Sequence, residues 1–402
     1  MFGGSNIGRR KFISGFTGSA GMALIGEDKA YLWTDGRYFL QAEAELSGRP
    51  EGEAWQLMRS GQPGVLEPGP FLAKIHADAR LETPVKVGVD PSYITATAAL
   101  ALCAAFKGSG AVLTPLCGEN LVDRVWALDP THPSSNSNAT IVPCVPHSTI
   151  YAGVTHTEKI GMIRGEMREC GAHATVISML DEVAWLYNIR GGDVPCNPVS
   201  ICYAVVTAEK AHLFIDERKL VRSADPKSNI FSHLAAADIS VHPYEEIDAF
   251  LLQLYEFCAL HNHVVFCDHN QLNYRLYSVL TGQATSTKPA ASTTVLENRP
   301  SLISLPKAVK NEVEVEGTRQ AHIRDGVALS AFLYWLEARY ADPTAPRLTE
   351  CEADGVLEGF RKRVALFRHP SFETIAGYGA NGKGKLLPEL RAHIFAYIPL
   401  ST

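Results

Sequence analysis

The sequence predicts an α/β fold. Three observations carry that prediction. Short apolar runs of strand character alternate with helix-periodic segments through residues 1–302. Gly, Pro and capping residues punctuate them. Two polar stretches, 129–138 and 281–302, divide the chain into blocks. At 402 residues the chain can bury more than one core, and two or three domains are expected. Apolar content of 46% and charged content of 20% are those of an ordinary globular protein. A net charge of −6 argues against a nucleic-acid partner, because phosphate binding needs concentrated positive charge. No apolar run reaches the roughly 18 residues of a membrane helix, so no membrane association is expected. No apolar h-region follows Arg9-Arg10-Lys11, and the nine cysteines contain no CxxC pair, so reduced thiols and a cytoplasmic setting are expected.

The first block covers 1–148. Residues 21–25 and 30–34 read as a hairpin around a Gly-Glu-Asp-Lys turn. Residues 36–46 read as a helix with Tyr38, Phe39, Ala42 and Leu46 on one side. Residues 86–89 are a strand, and Ser92 is placed to cap an alanine-rich helix ending near Gly108. The second block, 149–302, repeats the style, although no residue-level repeat relates the two. Thr157 is read as the cap of a helix ending at Cys170, with Gly171 just past it. A strand at 174–179, a short helix from Asp181, a hairpin (199–206 and 211–215), a helix at 245–260, a strand at 263–267 and a helix at 273–280 complete it. The third block opens on a helix over 311–340, with Ala328, Phe332, Trp335 and Leu336 on one face. Thr349 and Glu352 form a capping-box pattern for a second helix running to about Phe367. A β-type run, 372–375, then enters a glycine turn.

That turn, Gly377-x-Gly379-x-x-Gly382, matches the dinucleotide fingerprint and is one residue short of a P-loop. Both motifs need a following helix and parallel strand, and Pro388 interrupts the candidate helix. A glycine turn joining two strands is the better reading. His261, His263, Cys267 and His269 cluster in sequence, yet no paired ligand set accompanies them, and a structural reading outweighs a zinc site. Gly18-Ser19-Ala20-Gly21 misses the nucleophile-elbow spacing by one position. No HExxH occurs, and no Ser/His/Asp set can be located by spacing. Arg37 is more informative. It follows Trp33-Thr34-Asp35-Gly36 where a strand becomes a helix, and a cation in a first helical turn opposes the macrodipole. It is either paired, with Asp35 as the nearest carboxylate, or aimed at an anion; on physical grounds alone the pairing is favoured.

Three long motifs resemble a known family. The run 9–21 (RRKFISGFTGSAG) with Leu32-Trp33-Thr34-Asp35-Gly36-Arg37-Tyr38-Phe39-Leu40-Gln41-Ala42 is similar to the first domain of the three-domain Xaa-Pro aminopeptidases (aminopeptidases P) of the creatinase/prolidase type. Residues 180–199 (LDEVAWLYNIRGGDVPCNPV) resemble the hallmark of their second domain. Residues 310–325, through Gly317-Thr318-Arg319-Gln320-Ala321-His322, resemble the first helix of their pita-bread catalytic domain. The match runs in order over about 9–382.

The resemblance implies two creatinase-N-like α/β domains, 1–148 and 149–302. The start of a pita-bread α+β metallopeptidase domain (303–382) and a divergent tail (383–402) follow. It implies peptide substrates with proline second, cleaved by a water held between two divalent ions, usually manganese. The family's ligands (two Asp, one His, two Glu) would lie downstream of Gly382, and His393 does not match their setting. No catalytic or metal-ligating residue is therefore assigned. The one residue carried over is Arg37, as a peptide-contacting residue. The family's first strand is also missing, which is expected to leave a sheet edge open. On this reading the chain is a homologue cut off at both ends, unable to hydrolyse peptides by itself. The alternative is a non-enzymatic binding or dimer-forming module, with a second copy or a full-length paralogue as partner.

Overall fold

A computed structural model describes residues 4–47, 54–79, 83–129, 141–225, 229–283, 296–346 and 348–377. They divide into two compact units. One is chiefly Leu66–Val194 with Pro198–Asn311; the other is chiefly Ile7–Val65 with the chain from Glu312 onward, and Pro195–Asn197 groups with it. No helix of the described residues is long and apolar enough to cross a membrane.

The first unit is built on a six-stranded mixed sheet. In spatial order its strands are Ile239–Pro243, Ala211–Ile215, Cys202–Thr207, Ala172–Ile177, Val264–Cys267 and Leu296–Asn298. The Cys202–Thr207 strand runs antiparallel to both neighbours; the remaining pairs are parallel. Helices cover both faces, so these strands read as continuous apolar runs rather than as alternation. Cys202, Ala204 and Val206 face one layer, with Ile160, Ile163 and Met167 of helix His156–Cys170. Tyr203 and Val205 face the other, with Leu251, Leu254 and Leu276 of helices Ile247–His261 and Tyr274–Leu280. A separate parallel pair, Val85–Val89 and Ala111–Pro115, carries helices Pro68–Ala79 and Ala96–Ala105. The bridge Thr95 to Asn273 ties that layer to the main sheet's helices.

The second unit contains a three-stranded sheet in the order Met22–Ile25, Ala30–Thr34, Trp55–Arg59. The expected hairpin is its antiparallel pair, and the third strand adds in parallel. Phe16, Leu32, Tyr38, Ala42 and Leu46 form its core. The unit also contains a helix pair, Glu312–Ala341 and Glu350–Lys362, joined through Phe332, Leu336, Ala353 and Leu357.

Several local expectations shift. The cap of Ala96–Ala105 is Thr95, whose Oγ1 accepts from Ala98 N at 3.2 Å; Ser92 N instead donates to Asp90 Oδ1, tightening the turn upstream. The cap of His156–Cys170 is Thr155, which exchanges bonds with Glu158 as a full capping box, while Gly171 closes the helix in the left-handed region as expected. The second helix of the third block stops at Lys362, and Leu366 has φ +67°. Of the expected strand 372–375, Ile375 alone forms a bridge. The glycine turn beyond Gly377, His393 and the linker 130–138 lie outside the described residues.

Candidate functional site

Arg37 sits in a turn, not in the helix. The helix begins at Phe39, because Asp35 takes up the preceding amides: its carbonyl accepts from Tyr38 N at 3.0 Å and its Oδ1 from Arg37 N at 3.1 Å. The guanidinium closes on the same carboxylate. Nε donates to Oδ1 and Nη2 to Oδ2, each at 2.8 Å. Hydrogen bonding to Asp35, then its charge, pushes the Arg37 pKa still higher, so the group is a permanent cation. The guanidinium carbon lies 5.1 Å from the Tyr38 ring centroid, and the side chain is 64% exposed. A bidentate, exposed guanidinium of this kind is aimed and remains accessible to solvent.

The two motifs of the first block meet behind it. Tyr38 is fully buried, edge-on to Phe16 at 5.9 Å, and its hydroxyl bonds with Ser19 Oγ. Thr34 Oγ1 donates to Ala20 O at 2.7 Å, and Arg10 Nη1 to Gly21 O at 2.8 Å. Gln41 Nε2 donates to Thr17 Oγ1 at 2.7 Å and to Glu45 at 3.0 Å. A Cβ on Gly18 would lie 2.2 Å from the Phe16 ring and 2.8 Å from that of Tyr38, so only glycine lets this segment wrap the tyrosine. Residues 14–21 thus hold the turn that presents Arg37.

The second motif, 180–199, is buried over residues 182–189 and more open beyond them. Glu182 through Leu186 of helix Leu180–Leu186 are all buried. Burial pushes the Glu182 carboxyl up, opposed by the bond from Ser301 Oγ at 2.7 Å. Asn188 takes a left-handed backbone, φ +48°. The amine of Lys159, 1% exposed, donates to Trp185 O at 3.0 Å and Asn188 Oδ1 at 2.8 Å, and lies 4.3 Å from the Trp185 ring centroid. A buried ammonium here serves the helix's terminal carbonyls, where positive charge is favourable. Further along, Asp193 Oδ2 accepts from Lys219 Nζ at 2.7 Å and from Ile201 N at 2.6 Å. Both side chains of the pair are about nine-tenths buried, at 11% and 10% exposed. We expect Asp193→Ala to leave Lys219 buried without its carboxylate and to cost about 2–4 kcal/mol. Thermal melting together with protease cleavage at 190–199 checks this; a wild-type melting point would count against it.

The sequence cluster divides: His261 and His263 join a stack, while Cys267 and His269 lie apart from it. His173 and His263 lie face to face, 4.5 Å apart at 5°, and His261 stacks on His263 at 5.9 Å. Cys267 is 3% exposed in the apolar layer, and His269 stands edge-on to Tyr277 at 5.1 Å. Among the described residues, no group of three or more His, Cys, Asp or Glu is placed to hold a metal ion. Lys159, Asp193 and Lys219 were not singled out from sequence. Lys159 did carry a signal, since it lies next to Ile160 and four residues before Ile163 on the helix's apolar side.

Comparison with known proteins agrees with these motifs. Residues 7–125 and 135–314 each match a model of the creatinase/prolidase N-terminal domain. The chain is 39% identical over 379 residues to the probable Xaa-Pro aminopeptidase P of Laccaria bicolor, covering 93% of this chain and 52% of that protein. It is 36% identical over 393 residues to aminopeptidase P2 of Arabidopsis thaliana, covering 93% and 51%. Among solved structures it is similar to the X-prolyl aminopeptidase of Caenorhabditis elegans, described as a cytosolic enzyme with a di-nuclear active site. The TM-score is 0.78 at 30% identity, covering 92% of this chain and 54% of that one. The chain spans about half the length of these relatives. It carries creatinase/prolidase N-terminal domains in an α/β fold and is a homologue of the Xaa-Pro aminopeptidases over 93% of its length.

Proposed function

We propose that the activity this chain serves is that of an Xaa-Pro aminopeptidase, the release of an N-terminal residue that precedes proline. The observation that carries the reading is the likeness to the C. elegans X-prolyl aminopeptidase over 92% of this chain. Within that activity, the role assigned to these residues is substrate contact. Arg37 offers its Nη1 edge to a peptide carbonyl or carboxylate, while Asp35 holds its Nε and Nη2. The domain boundaries proposed are 1–148, 149–302 and 303–382, the last opening the pita-bread domain, with 383–402 as a divergent tail. A cytoplasmic setting is proposed with them.

The same reading has these 402 residues, by themselves, binding peptide without cleaving it. Where two divalent ions are bound, they supply a water of lowered pKa. The described residues assemble no donors for such ions. The test is an assay of Arg-Pro-Pro with manganese added, alongside a count of bound metal and a titration of peptide binding. No turnover is expected, and Arg37→Ala is expected to weaken peptide binding at least several-fold. Turnover with stoichiometric metal would remove the claim of inactivity. Binding indifferent to Arg37→Ala would remove the assigned contact.

A further inference from the structure

The strands Ala30–Thr34 and Trp55–Arg59 run parallel, in register from Ala30 against Trp55 to Thr34 against Arg59, so their carboxyl ends finish side by side. Ser60 N donates to Thr34 O at 3.0 Å and extends the pairing by one residue. The chain then turns twice: Gln62 N donates to Arg59 O and Val65 N to Gln62 O, each at 3.1 Å. Gly61 and Gly64 supply the left-handed backbone these turns need, at φ +80° and +83°. Between the double turn, the strand end and helix Phe39–Ser47 lies an open groove of about 430 Å³, lined by Glu43, Leu57, Arg59, Gln62 and Val65. Arg59 is held in place where it lines this groove. Its Nη2 meets Glu43, and its guanidinium carbon lies 5.7 Å from the Phe39 ring centroid. Its Nε and Nη1 have no acceptor among the described residues, and the side chain is 46% exposed.

We propose that this groove is a second peptide subsite, which takes the stretch beyond the residue that Arg37 contacts and ends it at Arg59, where the peptide's terminal carboxylate binds. The inference rests on the proposed peptide contact of Arg37 and adds to it a preference for length and for a free carboxyl end. Placement is the first argument. Arg37 follows Thr34 by three residues, so both arginines stand at the carboxyl edge of one parallel strand pair. Ligands of α/β sheets bind outside that edge. Three chain steps and one strand spacing limit the Cα separation of Arg37 and Arg59 to roughly 16 Å, the span of about five extended residues. Chemistry is the second argument. A guanidinium carries five donors in a planar fork suited to a carboxylate, and Glu43 occupies one of its nitrogens. The Arg59–Glu43 pair is exposed and of little energetic weight, so an incoming carboxylate can share or displace it. The Phe39 ring and the strand end fix the guanidinium beforehand, which lowers the ordering cost of binding. Leu57 and Val65 give the intervening residues an apolar wall.

The experiment is isothermal titration of the 402-residue chain with Arg-Pro-Ala and with Arg-Pro followed by two to five alanines, each as the free carboxylate and as the amide. Circular dichroism is the folding control. Wild type should gain affinity several-fold at one of the longer lengths with the carboxylate and not with the amide. Arg59→Ala should remove that gain, leave Arg-Pro-Ala binding unchanged and leave the fold intact, because the side chain is exposed. Glu43→Gln should enlarge the gain by releasing Arg59, an outcome that damage to the fold would not produce. Arg37→Ala should weaken every peptide, Arg-Pro-Ala included. Affinity indifferent to length and to the carboxylate, or a gain that survives Arg59→Ala, overturns the groove and leaves the Arg37 contact standing. Equal binding by wild type and Arg37→Ala, or no binding of any peptide, removes the Arg37 contact and the inference with it.

Discussion

Asp325→Ala should destabilise the helix pair Glu312–Ala341 and Glu350–Lys362 by about 3–5 kcal/mol, the cost of stranding a buried charge. The partner is Arg361. Its Nε donates to Asp325 Oδ1 at 2.8 Å and its Nη2 approaches Oδ2 at 3.3 Å, with side-chain exposures of 2% and 6%. Asp325 shares the face of Ala328, Phe332 and Leu336, and Arg361 that of Ala353 and Leu357, so the pair is embedded in the apolar seam. Removing one charge leaves the other without water or counter-charge. Removing both should cost little: Asp325→Leu with Arg361→Met is expected near neutral, since desolvation of the pair offsets most of its attraction. The exposed pairs on the same helices, Arg319 with Glu316 and Lys362 with Glu358, should be nearly silent. Amide exchange across Glu350–Lys362 and urea titration report the difference. A loss below about 1 kcal/mol for Asp325→Ala, or a double variant as unstable as the single, would show that the pair is not isolated from solvent.

That pair marks the boundary of what sequence made legible. Strands and helices with strong local signals were readable: the hairpin at 22–34, the capping box at Thr349 and Glu352, the left-handed stop at Gly171. The cap at Thr155 carried the same Thr-x-x-Glu signature as Thr349, and placing it at Thr157 overlooked Glu158. The strands missed include Trp55–Arg59, Ala111–Pro115, Ile239–Pro243 and Leu296–Asn298. All are short, and each is fixed by a partner distant in sequence, which local pattern does not encode. The site behaved the same way. The Trp-Thr-Asp-Gly-Arg motif pointed to Arg37 and named Asp35 as its alternative partner. It did not reveal that Asp35 delays the helix to Phe39 while holding the guanidinium. Buried ions escaped altogether. A lone Asp or Lys in a polar-looking stretch reads as surface, and its burial depends on a partner 26 positions away for Asp193 and 36 for Asp325.

Acid should destabilise the six-stranded unit already between about pH 6.5 and 5, before its carboxylates are neutralised. His147 is pushed down to about 4, first by burial, then by the charges of Arg190 and Lys159. His212 is likewise lowered to about 4, by burial, then by His242, Lys210 and Arg164. In the unfolded chain each would titrate near the usual histidine value of about 6.5. Above that value both states are neutral and the stability is fully present. As pH falls from about 6.5 towards 4 the unfolded chain takes up protons that the folded one refuses, so stability drops, and the loss levels off once the folded rings titrate. Each histidine could contribute up to about 1.4 kcal/mol per pH unit in that window. Both rings keep some solvent contact, so roughly half of that is expected, or about 3 kcal/mol for the two by pH 4. Geometry adds to the effect. His212 Nδ1 and His242 Nε2 share one hydrogen bond at 3.0 Å, which a doubly protonated pair loses. His156 and His233 stack at 4.0 Å while donating to His233 O and Tyr187 O, and burial lowers both. The measurement is the urea midpoint at pH 7, 6 and 5, above the range where carboxylates protonate. The midpoint should fall with each step. His147→Asn with His212→Asn should flatten the slope even where the variant is less stable at pH 7. A flat wild-type profile, or an equally steep one in the double variant, would assign the acid sensitivity to other groups.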